Sequence, residues 1–288
     1  MAIATDPIKR TFLKEGEITI DNSDTGGLTY LGLAHNSWPK AKVWPTIFKV
    51  VIATLKKYGI IVTEQDLKNL GTKSGKNLKV SDAIKSEINA ELRKLKLDKE
   101  IIIFYKAEFW DSIGGDDICS QSFAESLFDF GINVYWKTAA MILQKILKVS
   151  VDGAIGPITT YTLNCELIEN HHELHTLFAM AKINKYISIS NGSKIKYLHG
   201  WLNRTFETYE HNYTIDDLDK MINVSSVDGL IGPRPNIKGY KTYMKNEEHF
   251  IAVHKLIRIY KINKLYELRK ITQEELLNKI ALELNEIK

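Results

Sequence analysis

Helical periodicity breaks off between Glu15 and Leu33, EGEITIDNSDTGGLTYLGL, and that break constrains the chain more than any other stretch. Ahead of it, Ile8, Phe12 and Leu13 fall at i, i+4 and i+5, which puts Glu15 on the last turn of an N-terminal helix. Behind it, Asp21-Asn22-Ser23-Asp24 and then Gly26-Gly27 are turn formers. The alternation that continues through Leu28 and Tyr30 suits a short hairpin. One carboxylate is therefore expected on a rigid helix end and a second, Asp24, on the hairpin facing it. Thr29 follows five residues later. Cutting a glycosidic bond needs such a set: a protonated acid for the leaving oxygen, and a second group that handles water or stabilises positive charge.

The spacing Glu-x8-Asp-x4-Thr resembles that of small phage muramidases. The wider segment is similar to the opening motif of the glycoside hydrolase family 108 lysozymes, the secretion-activator-like group. Glu15, Gly16, Asp24, Gly26, Gly27, Thr29 and Gly32 match that motif in register, and Gly32–Trp44 (GLAHNSWPKAKVW) is similar to its continuation. Glu17 stands where the motif has a second glycine, and Ile18 where it has an aromatic residue. Further on, FYKAEFW, LFDFGIN and AAMILQKILKVSVDGAIGPIT resemble the peptidoglycan-binding region paired with this family, and HGWLNR at His199–Arg204 its closing segment. The resemblance runs from about Phe12 to Glu207.

Composition adds exclusions. A chain of 288 residues can bury one large core or two modest ones, and its 44% hydrophobic and 26% charged content is that of an ordinary globular protein. No apolar run approaches the ~20 residues of a membrane-spanning helix. MAIATDPIKRTF has no apolar h-region, so synthesis in the cytoplasm without a secretory signal is expected. A net charge of +4 favours encounter with anionic cell walls. The 39 basic residues are interleaved with 35 acidic ones rather than gathered in a stripe, so no nucleic-acid partner is expected. Cys119 and Cys165 imply no disulfide framework and read as small buried apolar residues. His171-His172-Glu173-Leu174-His175 lacks the H-E-x-x-H order and reads as a surface histidine cluster, with no metal site.

The rest of the chain reads as helices. Val43–Tyr58 carries Ile47, Val50, Val51 and Leu55 at helical spacing, and Thr63-x-x-Asp66 resembles a capping box. Ser81 opens a longer helix that turns Ile84, Ile88, Leu92 and Leu95 to the core. Ile101–Trp110 is strand-like in composition but helical in spacing, and Ser122-x-x-Glu125 caps the next helix. Helices are expected over Ala139–Val149, Ile158–Leu167, Leu174–Ile189, Ile195–Tyr209 and Phe250–Arg269, with a last one capped by Thr272 and Glu275. In Asp152-Gly153 the glycine is expected at positive φ. SVDGLIGP at 226–233 nearly repeats SVDGAIGP at 150–157, as a degenerate repeat or a convergent turn. The basic face of Phe250–Arg269 suits packing within the domain or against a partner better than a membrane surface.

The expected architecture is mainly α: a lysozyme-like helical fold with a small β-hairpin and a helical C-terminal extension. Residues 1–209 would form the muramidase, with a catalytic part over 1–100 and a helical peptidoglycan-binding part over 101–209, and residues 210–288 the extension. The resemblance implies a peptidoglycan hydrolase, a phage endolysin or bacterial wall-lytic enzyme, cleaving between N-acetylmuramic acid and N-acetylglucosamine. Glu15, Asp24 and Thr29 would be catalytic, with Tyr30, Trp38, Trp110, Asp129 and Asn133 on the substrate. Trp44 and Trp136 are further aromatics for a saccharide groove. Neither cofactor nor metal is expected. The partners would be glycan strands and a holin or secretion partner giving a monomer access to the wall. The alternative is a non-catalytic wall-binding or structural protein on the same scaffold, which Glu17 and the C-terminal extension favour.

Overall fold

The structure is a computed structural model that describes residues 1–20, 26–209 and 247–285, without the side chains of 12–15, 193 and 247–250. It contains two compact units, Ile3–Asp111 and Ser112–Lys288, the latter with Met1–Ala2. The octapeptide at 226–233 lies outside the described residues. Among the described residues no helix is long and apolar enough to cross a membrane.

The first unit opens with α1 (Thr5–Glu15), which tolerates Pro7 in its first turn and buries Ile8 and Thr11. Three short strands follow, β1 (Thr19–Ile20), β2 (Leu28–Tyr30) and β3 (Leu33–Ala34), paired antiparallel in the order β1-β2-β3. The expected hairpin thus gains a third strand. Leu31 and Gly32, at φ +49° and +77°, form the two-residue turn that folds β3 back. Leucine seldom takes that conformation, which costs about 1–2 kcal/mol, so the register Tyr30–Leu33 comes from surroundings the sequence pattern does not display.

Helices follow the sheet. On α2 (Trp44–Lys57), Trp44, Ile47, Phe48, Val51 and Leu55 form one buried stripe. Thr63 caps α3 (Glu64–Lys68) in a complete capping box, its backbone N–H donating to Asp66 Oδ2 at 2.8 Å and its hydroxyl accepting from the Asp66 N–H at 3.2 Å. Ser81 caps α4 (Asp82–Lys94), which buries Ile84, Ile88 and Leu92. Leu95 does not follow them inward: it lies past the last helical turn and is exposed. Ile101–Trp110 is helical, as its spacing implies, but changes pitch from α5 (Asp98–Tyr105) to a π-helical turn over Lys106–Trp110. The wider turn lets Tyr105, Phe109 and Trp110 all point inward.

The second unit is helical: α6 (Gln121–Val134), α7 (Trp136–Ile146), α8 (Pro157–Glu169), α9 (His171–Ile189), α10 (Leu198–Glu207), α11 (Glu247–Glu267) and α12 (Gln273–Asn285). The cap of α6 is Ser120, not Ser122. Ser120 has extended backbone and accepts from the Phe123 N–H at 3.3 Å, whereas Ser122 is already inside the helix. Cys119 is exposed and Cys165 half-buried, so neither is the core residue expected; the N–H of Cys119 donates to Asn164 Oδ1 at 2.9 Å. Thr272 and Glu275 cap α12 reciprocally. Helix α11 packs on α9, α10 and α12. Its basic residues are partly absorbed there: Lys255 Nζ donates to the Leu284 carbonyl at 3.1 Å, and Arg258 pairs with Glu283 at 2.8 Å.

Candidate active site

Glu15 is the last residue of α1, because Gly16 leaves helical space at φ +79°. The next residues are tied to α4. The N–H of Ile18 donates to Oδ1 of buried Asn89 at 2.9 Å, and the Glu17 carboxylate pairs with Arg93. Both departures from the family motif thus acquire local reasons: Ile18 fills the core, and Glu17 anchors the strand entry. The Glu17–Arg93 pair is about half exposed on both sides, so it orients more than it stabilises.

Strand alternation divides the sheet. Ile18, Ile20, Leu28 and Tyr30 are buried on one face, while Thr29, opposite exposed Thr19 and half-buried Ala34, lies on the other. Thr29 is therefore a hydroxyl on the open face of a sheet held by its neighbours. The Tyr105 hydroxyl donates to the Leu31 carbonyl at 3.1 Å and pins the β2–β3 turn to α5. Gly27, at φ +69°, passes so close to the next layer that a Cβ would meet the Leu70 carbonyl oxygen at 2.5 Å and Asn36 Nδ2 at 2.7 Å. Those two atoms are themselves hydrogen-bonded at 2.7 Å. Asp24 lies outside the described residues, and of Glu15 the backbone alone is described.

The substrate candidates separate by exposure. Tyr30 is 4% exposed, Trp110 0% and Asp129 6%, so none of the three offers an open contact surface; as they stand they are core residues. Burial, then the Asp98 and Glu17 carboxylates, push the Tyr30 phenol above its ordinary range and keep it protonated. Trp44 is also buried, stacked on Phe48. Half-buried Trp38 keeps an accessible edge, and it joins an aromatic cluster edge-on to Phe104 and Phe109, with ring centroids at 5.3 and 5.6 Å.

Asp129, Asn133 and Trp136 belong to the second unit. Asp129 pairs with Arg204 at 3.4 Å, and the Asn133 side-chain amide donates to the Asp129 carbonyl at 2.9 Å. The HGWLNR segment is absorbed in the same way. Trp201 stacks on Tyr186 at 5.1 Å, and burial followed by the Asp129 charge pushes the Tyr186 phenol well above its ordinary range. His199, Asn203 and Asn263 close a hydrogen-bonded triad between α10 and α11, with contacts of 2.9, 3.1 and 2.6 Å. In the histidine cluster, His175 is not at the surface: it is buried edge-on against Phe123, with His171 over it at 4.5 Å.

Asn89 is a positioning residue that the sequence pattern does not single out, and Gln144, inside the segment that resembles the peptidoglycan-binding region, is another. Each is a buried amide on the core face of a helix, and a polar residue there is the one signal that could have flagged them.

Residues 8–134 match the family described as Glycosyl hydrolase 108, and residues 138–206 match a Predicted Peptidoglycan domain. A solved structure, that of Brucella abortus SagA, is similar at 20% identity, covering 70% of this chain and 88% of that one with a TM-score of 0.42. No curated protein matches the chain.

Proposed function

We propose, from the match of residues 8–134 to the glycosyl hydrolase 108 family and of residues 138–206 to a predicted peptidoglycan domain, that the chain is an N-acetylmuramidase. A glycoside hydrolase joined to a peptidoglycan domain acts on the cell wall. The bond assigned is the β-1,4 linkage between N-acetylmuramic acid and N-acetylglucosamine.

Glu15 is the general acid in this scheme. It stands at the C-terminal end of α1, the last helical residue before Gly16. In this role it gives its proton to the leaving glycosidic oxygen. Asp24 stabilises the positive charge that develops on the sugar or activates water, and Thr29 orients that water. Trp38 supplies the aromatic contact to substrate. A holin or a secretion partner would bring a monomer of this phage or bacterial enzyme to the wall.

The observation that carries this reading is the join between α1 and the sheet. Glu15 ends a helix, the next residues are fastened to α4, and an open-faced hydroxyl follows on β2, all in one compact unit. The test is Glu15→Gln, assayed by release of reducing ends from purified sacculi. The variant should keep the wild-type circular dichroism and lose at least ~10²-fold in rate. Near wild-type hydrolysis would remove Glu15 from the mechanism. No hydrolysis by the wild type on any sacculus would return the chain to a wall-binding protein.

A further inference from the structure

A cavity of about 710 Å³ opens in the first unit between segment 37–43 and the face of α5 and its π-helical turn. Its lining is largely apolar, from Trp38, Phe104 and Ile103, and Ile103, 68% exposed, lies at the opening. Its rim carries both signs of charge: Lys40 and Lys42 on one wall, Glu100 and Glu108 on the other. Among the described residues none of these four charges has an ion-pair partner. Volume and lining are those of a site for a small ligand.

The chemistry of the rim discriminates between the components of a bacterial wall. The sugar backbone of a stem-bearing strand, its lactyl carboxyls tied up as amides, has no charge to meet two lysines and two glutamates. A polyanionic wall polymer would be drawn to the lysines and repelled by the glutamates. The peptide stem borne by the glycan combines carboxylates, the free ammonium of a diamino acid and the methyl groups of alanine, which match cations, anions and apolar lining in turn. We propose that this cavity is a subsite for the peptide stem of peptidoglycan, so that the enzyme favours strands that carry stems; the proposal rests on the muramidase reading above.

Both walls are built onto the sheet that carries Thr29. The Trp38 N–H donates to the carbonyl of Ala34, the β3 residue paired with Thr29, at 3.0 Å. On the opposite wall, Tyr105, adjacent to Phe104, holds the β2–β3 turn. A stem seated between these walls would be held by the elements that position the open face of the sheet. π-Helical turns are uncommon and recur at functional sites, and this one contributes Glu108 to the rim.

The experiment uses the full chain and two measurements. The free stem tetrapeptide, released from sacculi by an amidase, is titrated calorimetrically into wild type, Ile103→Asp and Glu108→Lys. Hydrolysis rates are then compared on stem-bearing strands and on strands stripped by the same amidase. Wild type should bind the free stem saturably and cut stem-bearing strands faster. Each variant should weaken binding by ~10-fold, about one lost contact, and lower the ratio of the two rates. Both substituted side chains lie at the opening, and circular dichroism confirms folding. A stem that does not bind, or binds both variants as it binds wild type, overturns the subsite even if both strands are cut, which leaves the muramidase reading intact. Stem binding without hydrolysis of either strand would instead overturn the assigned bond and keep the pocket.

Discussion

A methyl group on residue 27 would sit 2.5 Å from the carbonyl oxygen of Leu70, so the glycine at the entry to β2 is a steric requirement as well as a conformational one. Gly27→Ala must relieve that contact against backbone and adopt an unfavourable φ at once. A loss of about 1–3 kcal/mol is expected, with hydrolysis falling because the strand carrying Thr29 moves. Thermal melts beside sacculus assays check this, and an unchanged melting temperature would show the segment to be slack.

His35 supplies a pH dependence. Its ring is buried edge-on to Trp44 and Phe48, with centroids at 5.1 and 5.2 Å. Burial lowers its pKa; Asn36 opposes that shift, Lys68 adds to it and Glu64 opposes it. The unfolded chain, with histidine near ~6.5, therefore takes up more protons than the folded one just below that pH. The stability held by the neutral ring is complete above ~6.5 and is lost as pH falls toward the folded value. The melting temperature should drop between about pH 7 and 5, and His35→Gln should flatten that drop. An identical slope in both proteins would assign it elsewhere. At this scale the motif glycines and Glu15 are legible in the sequence. The partners of Glu17 and Ile18 are not, since Arg93 and Asn89 lie more than seventy residues away.

At the scale of elements, the link from α7 to α8 shows what a motif can and cannot convey. The D-G pair announces a turn, and Gly153 has φ +76°. What closes the turn is Gln144, whose side-chain amide donates to Asp152 Oδ1 at 2.7 Å and to the Ala154 carbonyl at 2.9 Å. Its oxygen accepts from the Gly153 N–H at 2.8 Å. Gln144→Leu keeps roughly the volume but strands these groups, at a cost on the order of 1–3 kcal/mol. The readout is chemical denaturation together with retention on insoluble sacculi, and wild-type values in both would show that solvent replaces the amide without loss. Caps behave differently from such clamps. Thr63, Ser81 and Thr272 were readable because a cap and its partner lie within three residues. Ser120 and Ser122 compete within the same window, and backbone conformation selects between them.

For the whole molecule, the boundary after Asp111 makes a prediction about fragments. A chain ending at Leu97 loses Ile101, Tyr105 and Phe109, and with them the hydrogen bond that holds the β2–β3 turn. A chain ending at 134 keeps Phe123 and Phe130 but removes Phe178 and Tyr186, against which they pack. Both fragments should be insoluble or molten, whereas one ending at 111 should give dispersed amide signals by nuclear magnetic resonance. Soluble, active residues 1–97 would show that the catalytic core needs nothing from α5.

The sequence of itself declared the helices, the break at Glu15 and the turn glycines, because these depend on neighbours within one or two helical turns. It also implied a largely α-helical chain, since the periodicities are local. Folding in three dimensions assigned the rest. It put Tyr30, Trp110 and Asp129 in the core, left Trp38 at the edge of a cavity, and spent Lys255 and Arg258 of α11 on Leu284 and Glu283. Periodicity says which residues share a face. Which of those faces is covered, and by what, is set by groups brought together from distant parts of the chain.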